Sequence, residues 1–358
     1  MKENRIKRVI QGMESEGIKQ MIVSSPAAIF YLTGKWIEVG ERMIAFYINT
    51  EGDRKLVINE LFPMRDIDGM EVVYYNDTQN PIDTLCTIID KNEVLAVDKN
   101  WSAHFLIKLM EQKGASNFLN GSPIIDRVRM LKDTEEIELM KKASKINDKV
   151  MGEIFKEISK DKTEKRMCGI LADLYEKQGA QGFSFDPIIA YGANGADPHH
   201  SSDNSSLKDG DSVIVDIGCR NDFYCSDMTR TFFYGEPSEE AKKIYEIVKE
   251  ANLKGIAAVK PGAKFCDIDK ACRDYIESFG YGKYFTHRTG HSIGIETHDF
   301  GDVSSVNTEE LKPGMIFSVE PGIYLPGKVG VRIEDLVLVT EDGCEVLNNY
   351  SKDLTIIK

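Results

Sequence analysis

The chain has 358 residues, 42% hydrophobic and 29% charged, with a formal net charge of −13. That length holds two domains with a sizeable core, and the acidic balance argues against nucleic acid as a partner. Seven scattered cysteines with no Cys-x-x-Cys pair argue against a disulfide framework or a thiolate zinc site, so a reducing, cytoplasmic location is expected.

The opening MKENRIKRVIQ is charged where a secretory signal is apolar, and no apolar run reaches the length of a bilayer span, so no membrane partner is expected. Ile6, Val9, Ile10 and Met13 recur on one helix face. Strands are expected at 21–24, 43–48, 55–59, 71–75 and 94–98, and helices at 82–89 and 103–110. This alternation predicts an α/β layer on a mixed sheet. No glycine-rich phosphate loop follows any of these strands, so nucleotide binding has no support. The character changes at 122–129, which divides a first domain, 1–125, from a second, 126–358.

Asp133 and Glu136 have capping-box spacing, and Ile137, Met140, Ile146, Val150 and Ile154 behind them predict a long amphipathic helix. A second helix is expected at 164–178, a strand at 182–191 and a polar loop at 197–203. Ser238 caps a helix with Ile244, Val248, Ala251 and Gly255 on one face, stopped by Pro261-Gly262. Another helix is expected at 265–279, then short strands between Gly/Pro turns. The whole reads as α+β.

Within the second domain, DSVIVDIGCRNDFYCSDMTRT (211–231) holds two apolar runs around a polar break, the pattern of a β-hairpin. A two-residue turn at Asn221-Asp222 sets Asp216 directly across from Asp227, with Cβ atoms roughly 4.5–5.5 Å apart. Two such carboxylates on an apolar hairpin require a cation between them, or a proton on one. A second hairpin, with a three-residue loop at 326–328, sets Glu320 opposite Glu334. Five of the six histidines (His199, His200, His287, His291 and His298) fall in the same domain. Asp216, Asp227, Glu320 and Glu334 carry the charge of two divalent cations, and one neutral imidazole completes an oxygen-rich set suited to Mn²⁺, Co²⁺, Fe²⁺ or Zn²⁺. Two ions about 3.5–4 Å apart share a hydroxide nucleophile and stabilise the oxyanion at an attacked carbonyl, which is the chemistry of amide hydrolysis.

The stretches ANGADPHH (193–200), VDIG (215–218), SDMTRT (226–231), HRTGHSIGIETH (287–298), SVEPGIY (318–324) and VRIED (331–335), in this order, resemble the pita-bread metallopeptidases, in particular the prolidase and aminopeptidase P group. The resemblance implies a C-terminal pita-bread domain, of the creatinase/aminopeptidase type, preceded by a smaller α/β domain. It implies two divalent ions, Mn²⁺ first, on Asp216, Asp227, His291, Glu320 and Glu334. Glu320 would also shuttle a proton, and His199 and His298 would steady the substrate carbonyl. His287 and Arg332 fall on the substrate side, His287 against the proline ring or a carboxylate, and Arg332 orienting a ligand carboxylate.

His200 is expected to be a bystander, where relatives tend to carry a small residue. Ser292 and Asp299 depart from the usual pattern without removing a ligand. Trp36, in a Gly-bounded loop, could reach a partner subunit's cleft, because a homodimer is what the resemblance suggests. The activity implied is Xaa-Pro dipeptide hydrolysis on proline-containing di- or oligopeptides. Aminopeptidase P action on longer peptides is the alternative within the class, and an inactive peptide-binding scaffold the alternative outside it.

Overall fold

The computed structural model describes residues 1–64 and 69–358. The chain forms two compact units, Met1–Arg129 and Met130–Lys358.

In the first unit, the described residues form a six-stranded sheet of β1 (Gln20–Val23), β2 (Ala45–Asn49), β3 (Arg54–Asn59), β4 (Glu71–Tyr75), β5 (Val94–Val97) and β6 (Asn117–Asn120). Its order is β4-β3-β2-β1-β5-β6, antiparallel at β1–β2 and β2–β3 and parallel elsewhere, which is the mixed sheet expected. Met21, Ile22 and Val23 on β1 are all buried, as are Leu95, Ala96 and Val97 on β5. These central strands therefore read as apolar runs without alternation, because both sheet faces are covered. Helix Ala103–Glu111 lays Phe105 and Leu109 on Ile22, Leu85 and Leu95. The helix expected at 82–89 is shorter, Pro81–Cys86, because the Thr87 hydroxyl turns back onto the Thr84 carbonyl. β6 went unforeseen: Asn-Phe-Leu-Asn is a largely exposed edge strand with no apolar periodicity to betray it.

The second unit opens on helix Thr134–Glu157, whose capping box forms as its spacing predicts: Glu136 N donates to Asp133 Oδ1 and Asp133 N to Glu136 Oε2, each at 3.0 Å. One sheet holds β7 (Ile188–Tyr191), β8 (Ser212–Ile217), β11 (Met228–Tyr234) and β19 (Ile356–Ile357), in the order β19-β11-β8-β7. The β8–β11 hairpin continues outward as β9 (Arg220–Asn221) and β10 (Tyr224–Cys225). Further along lie β12 (Gly290–His291), β13 (Asp302–Val303), β14 (Ile316–Val319), β15 (Gly322–Leu325), β16 (Val329–Arg332), β17 (Asp335–Val339) and β18 (Cys344–Val346).

Two helix pairs cover this strand framework. Val150, Ile154, Met167 and Leu171, from Thr134–Glu157 and Glu164–Lys177, pack on Val213, Val215 and Ile217 of β8. Ile244, Val248, Ile268 and Cys272, from Glu239–Ala258 and Phe265–Ser278, pack on Phe317, Val319, Ile333 and Val337. Side chains alternate along a strand, so β8 sends its odd-numbered residues into a helix-covered core and turns Asp216 to the opposite face. Among the described residues no helix is long and apolar enough to cross a membrane.

Two further local expectations, both in the second unit, are corrected. Only Ile188–Tyr191 of the 182–191 stretch pairs as a strand, since Gly182 sits at φ 124° and Pro187 has no N–H for a ladder. The first hairpin turns at Asp222-Phe223, not at Asn221-Asp222: Tyr224 pairs with Asn221, and Thr229 with Asp216. Both turn residues have positive φ, 47° and 67°, the geometry of a type I′ turn. Phe223 looks like a strand residue in sequence, but it is only half-buried, with its amide donating to Gln181 Oε1 at 2.7 Å. Asp216 therefore faces Thr229, and Asp227 lies one diagonal step away. A two-residue shift of register keeps side chains on the same face, so both carboxylates still converge.

Candidate metal centre

A cleft of about 390 Å³ in the second unit is lined by all nine site residues expected from the sequence: His199, Asp216, Asp227, His287, His291, His298, Glu320, Arg332 and Glu334. Four chain segments bring them together. Asp216 and Asp227 come from the first hairpin. Glu320 and Glu334 come from the second, whose register is the one expected: Val319 faces Asp335 and Gly322 faces Arg332, which puts the two glutamates opposite each other. His291 sits on β12, with its amide donating to Ser318 Oγ at 2.9 Å, and His199 on the loop after β7. Gly290 allows the β12 approach, because a Cβ there would lie 1.9 Å from the Ser318 carbonyl oxygen.

Asp227, His291 and Glu334 are buried and offer donor atoms within 4.8 Å of one another. His291 Nε2 lies 3.6 Å from Asp227 Oδ2 and 3.5 Å from Glu320 Oε1. Its Nδ1–H points to the Ser292 carbonyl at 3.3 Å, so Nε2 presents a lone pair to two carboxylates. Burial, with His298 adding to it, pushes the His291 pKa down to about 3, so protonation does not relieve that arrangement. Burial and then Glu334, Asp216 and Glu320 push Asp227 well above the carboxylate range. Glu334 is raised in the same way by burial and then Glu320 and Asp216, and Glu320 rises to about 7, chiefly through burial. Asp216 Oδ1 and Asp227 Oδ1 are buried with no hydrogen-bond partner. Lone pairs facing lone pairs, beside orphaned carboxylate oxygens, are what a pair of divalent cations resolves, and this donor set fits them.

Arg332 is the guanidinium buried against these carboxylates. It donates to Asp216 Oδ2 at 2.6 Å, Thr229 Oγ1 at 3.3 Å and Tyr324 Oη at 3.0 Å. Thr229 Oγ1 in turn donates a hydrogen bond to Glu334 Oε2 at 2.7 Å, so a single guanidinium orients two of the acids. His287 closes the chain. Its Nδ1–H donates to the Arg288 carbonyl at 2.7 Å, and Nε2 accepts from Tyr324 Oη at 2.8 Å. Burial, then Arg332, lowers the His287 pKa to about 4, so the ring is neutral and both nitrogens are engaged. The His298 ring tilts against His291 at a centroid distance of 4.3 Å, while His199 is exposed over the cleft.

The sequence reading missed Thr229 and Tyr324. Thr229 lies two residues beyond Asp227, on the same strand face, and Tyr324 lies within SVEPGIY; alternation alone could have found the first. His200, expected to be a bystander, does not line the cleft, and its Nε2 lies 2.7 Å from Glu164 Oε2. Asp299 lies 3.5 Å from Lys132 Nζ, with both side chains buried.

A strand framework backed by two helix pairs around a carboxylate-and-imidazole cleft is the architecture of a pita-bread metallopeptidase. The chain belongs to metallopeptidase family M24, whose profile matches residues 138–341, and the creatinase/prolidase N-terminal domain matches residues 5–131. It is similar to an uncharacterized peptidase of Staphylococcus saprophyticus, 35% identical over 352 residues, covering 97% of this chain and 100% of that protein. Among solved structures, a dipeptidase from Pyrococcus horikoshii superposes with a TM-score of 0.94 at 34% identity, over 99% of this chain and 100% of that one. A prolidase from Thermococcus sibiricus gives a TM-score of 0.93 at 34% identity, over 100% and 99% of the two chains. The fold and family implied by the motifs are those found, and the protein is a metallo-exopeptidase.

Proposed function

We propose that this protein is a dinuclear Xaa-Pro dipeptidase, hydrolysing the amide between a first residue and proline. The observation that carries the reading is the convergence of Asp216, Asp227, His291, Glu320 and Glu334, with two orphaned carboxylate oxygens and a neutral imidazole, in one cleft. Those five side chains would hold two divalent ions, Mn²⁺ first and Co²⁺, Zn²⁺ or Fe²⁺ as substitutes. Bound there, the ions would supply Lewis acidity, acidifying water and polarising the scissile carbonyl.

The protein's own groups do the rest. Glu320 has a side chain 16% exposed, against 5% for Asp227 and 7% for His291, and so opens furthest toward substrate. It takes a proton from the attacking water and delivers it to the departing proline nitrogen. His298, held neutral by burial, donates a hydrogen bond to the substrate carbonyl oxygen, and His199 steadies the tetrahedral oxygen from the loop side. Arg332 fixes Asp216 directly and Glu334 through Thr229. His287, with both ring nitrogens occupied, offers its ring to the proline side of the substrate.

The dipeptide preference rests on likeness to a dipeptidase and a prolidase over nearly the full chain. The assay is hydrolysis of Xaa-Pro dipeptides and of longer Xaa-Pro peptides with Mn²⁺ or Co²⁺, before and after chelation. Metal-dependent turnover with dipeptides preferred is expected; equal or better cleavage of long peptides replaces dipeptidase by aminopeptidase P, and an inert metal-loaded protein overturns both. Homodimerisation is part of this reading, and light scattering on the purified protein tests it.

A further inference from the structure

His199 stands on the loop that follows β7, with its side chain exposed, and its nearest anchor is a backbone contact, His199 N donating to Asp197 Oδ1 at 3.0 Å. The next residue points the other way. His200 Nε2 lies 2.7 Å from Glu164 Oε2, and the Glu164 side chain is fully buried at the first position of helix Glu164–Lys177. The same carboxylate accepts from Asp203 N at 2.9 Å, Tyr191 N at 2.8 Å and Asn194 Nδ2 at 2.9 Å.

Four donors fill the four lone-pair directions of a carboxylate. Although Glu164, His200 and Asp203 sit at metal-ligand distances, this carboxylate is already saturated by the protein, so the cluster is a clamp and not a second metal site. It grips the loop at its start, at its end and at His200. A helix N-terminus is also the favoured place for the negative charge that does this. The loop is pressed on its other side against β16, where a Cβ on Gly330 would fall 1.7 Å from the Gly195 carbonyl oxygen.

We propose that Glu164 and His200 are positioning residues for catalysis, holding the loop so that His199 faces the reacting carbonyl. This rests on the role given to His199 above. His199 and His200 are adjacent in a turn closed by His200 N donating to the Asp197 carbonyl at 3.2 Å, so anchoring His200 restrains the backbone that carries His199. Misplacement of a catalytic group by about 1 Å can cost on the order of 100-fold in rate, so partial release of one anchor of several is expected to cost about tenfold.

The experiment is a double-mutant cycle on the full-length, metal-loaded enzyme with an Xaa-Pro dipeptide, using His199→Ala, His200→Ala and the double variant. His200→Phe keeps ring volume without the donor, and His200→Gln restores a donor at similar reach. Metal content and melting temperature are measured alongside, and His200→Phe decides the matter should the alanine variant not fold. His200→Ala or His200→Phe is expected to lower kcat about tenfold, with KM within about twofold, and His200→Gln to recover most of it. In the His199→Ala background the second substitution is expected to change kcat by less than about twofold. If His200 substitutions multiply the loss by the same factor in both backgrounds, or leave kcat intact, the clamp is overturned while the role of His199 stands. If His199→Ala itself turns over normally, that role falls and takes the clamp with it.

Discussion

Glu320→Gln is expected to stabilise the metal-free protein while abolishing its activity. Burial is the largest cause holding the Glu320 carboxyl at about 7 against an ordinary value of 4.5. Each pKa unit is worth roughly 1.4 kcal/mol, so ionising Glu320 in the folded, metal-free protein costs about 3 kcal/mol at pH 8. The side chain keeps 16% exposure, which makes that an upper figure. Glutamine is uncharged and retains an oxygen for the Ser318 hydroxyl, which now donates to Glu320 Oε1 at 3.0 Å.

The sign follows from linkage. With a folded pKa above the unfolded one, the native state holds its proton longer, so wild-type stability falls as pH rises from about 4.5 to about 7. The advantage of the variant is therefore small at pH 5, under about 1 kcal/mol, and near its full value at pH 8. Urea unfolding in chelator at both pH values reads this directly. Repeating it with Mn²⁺ is expected to reverse the order, since only the wild type keeps the full ligand set. A variant less stable than wild type in chelator at pH 8, or a gap that does not change with pH, refutes the reasoning.

Metal uptake is expected to release protons, because Asp227, Glu334 and Glu320 all sit above the usual carboxylate range while His291 is already neutral. Calorimetric titration with Mn²⁺ at pH 6.5, in buffers of different ionisation enthalpy, should show at least about one proton released, with affinity rising with pH. Gly290→Ala is expected to abolish metal-stimulated stability and activity together, since its Cβ would meet the Ser318 carbonyl at 1.9 Å and push His291 from Glu320; metal content and turnover check it. Asp335→Asn breaks a buried cluster in which Arg230 Nη2 and Lys352 Nζ donate to the carboxylate at 2.7 and 2.6 Å. Removing one partner of such a pair costs about 3–5 kcal/mol, measurable as a lower urea midpoint. Attraction to Arg230 and Lys352 outweighs burial and holds Asp335 below the ordinary carboxylate range, so its contribution persists above that range and is lost as pH falls through its folded value.

The convergence of Asp216, Asp227, Glu320 and Glu334 was legible in the sequence because period-two alternation forces a carboxylate in an apolar strand to point somewhere costly, whereas His291 was singled out among five histidines only by the resemblance. The second hairpin has the register that a three-residue loop at 326–328 gives, one of several loops that Pro326-Gly327 permits. The first hairpin turn was not legible, because Phe223 has strand chemistry and turn conformation, and its bond to Gln181 is a tertiary contact that no local pattern announces. The error changed the partner of Asp216 and not its face. Edge strand β6 was invisible because exposed pairing leaves no burial pattern. Glu164 and His200 were opaque for a different reason: a saturated carboxylate inside the fold leaves no periodicity, only a list of donors arriving from scattered positions.

The two glutamates sit where the second hairpin breaks its ladder, between β14–β17 and β15–β16. Their amides pair outside the hairpin, Glu320 N with the Thr289 carbonyl at 2.8 Å and Glu334 N with the Thr229 carbonyl at 3.1 Å. Main chain stitches the crossing together, while the carboxyl groups hang from it as detachable fittings. Exchange of an acid for a neutral side chain at either position leaves the stitching whole. Such an architecture can shed its reaction within a few substitutions and still persist as a folded body, free to take up another task.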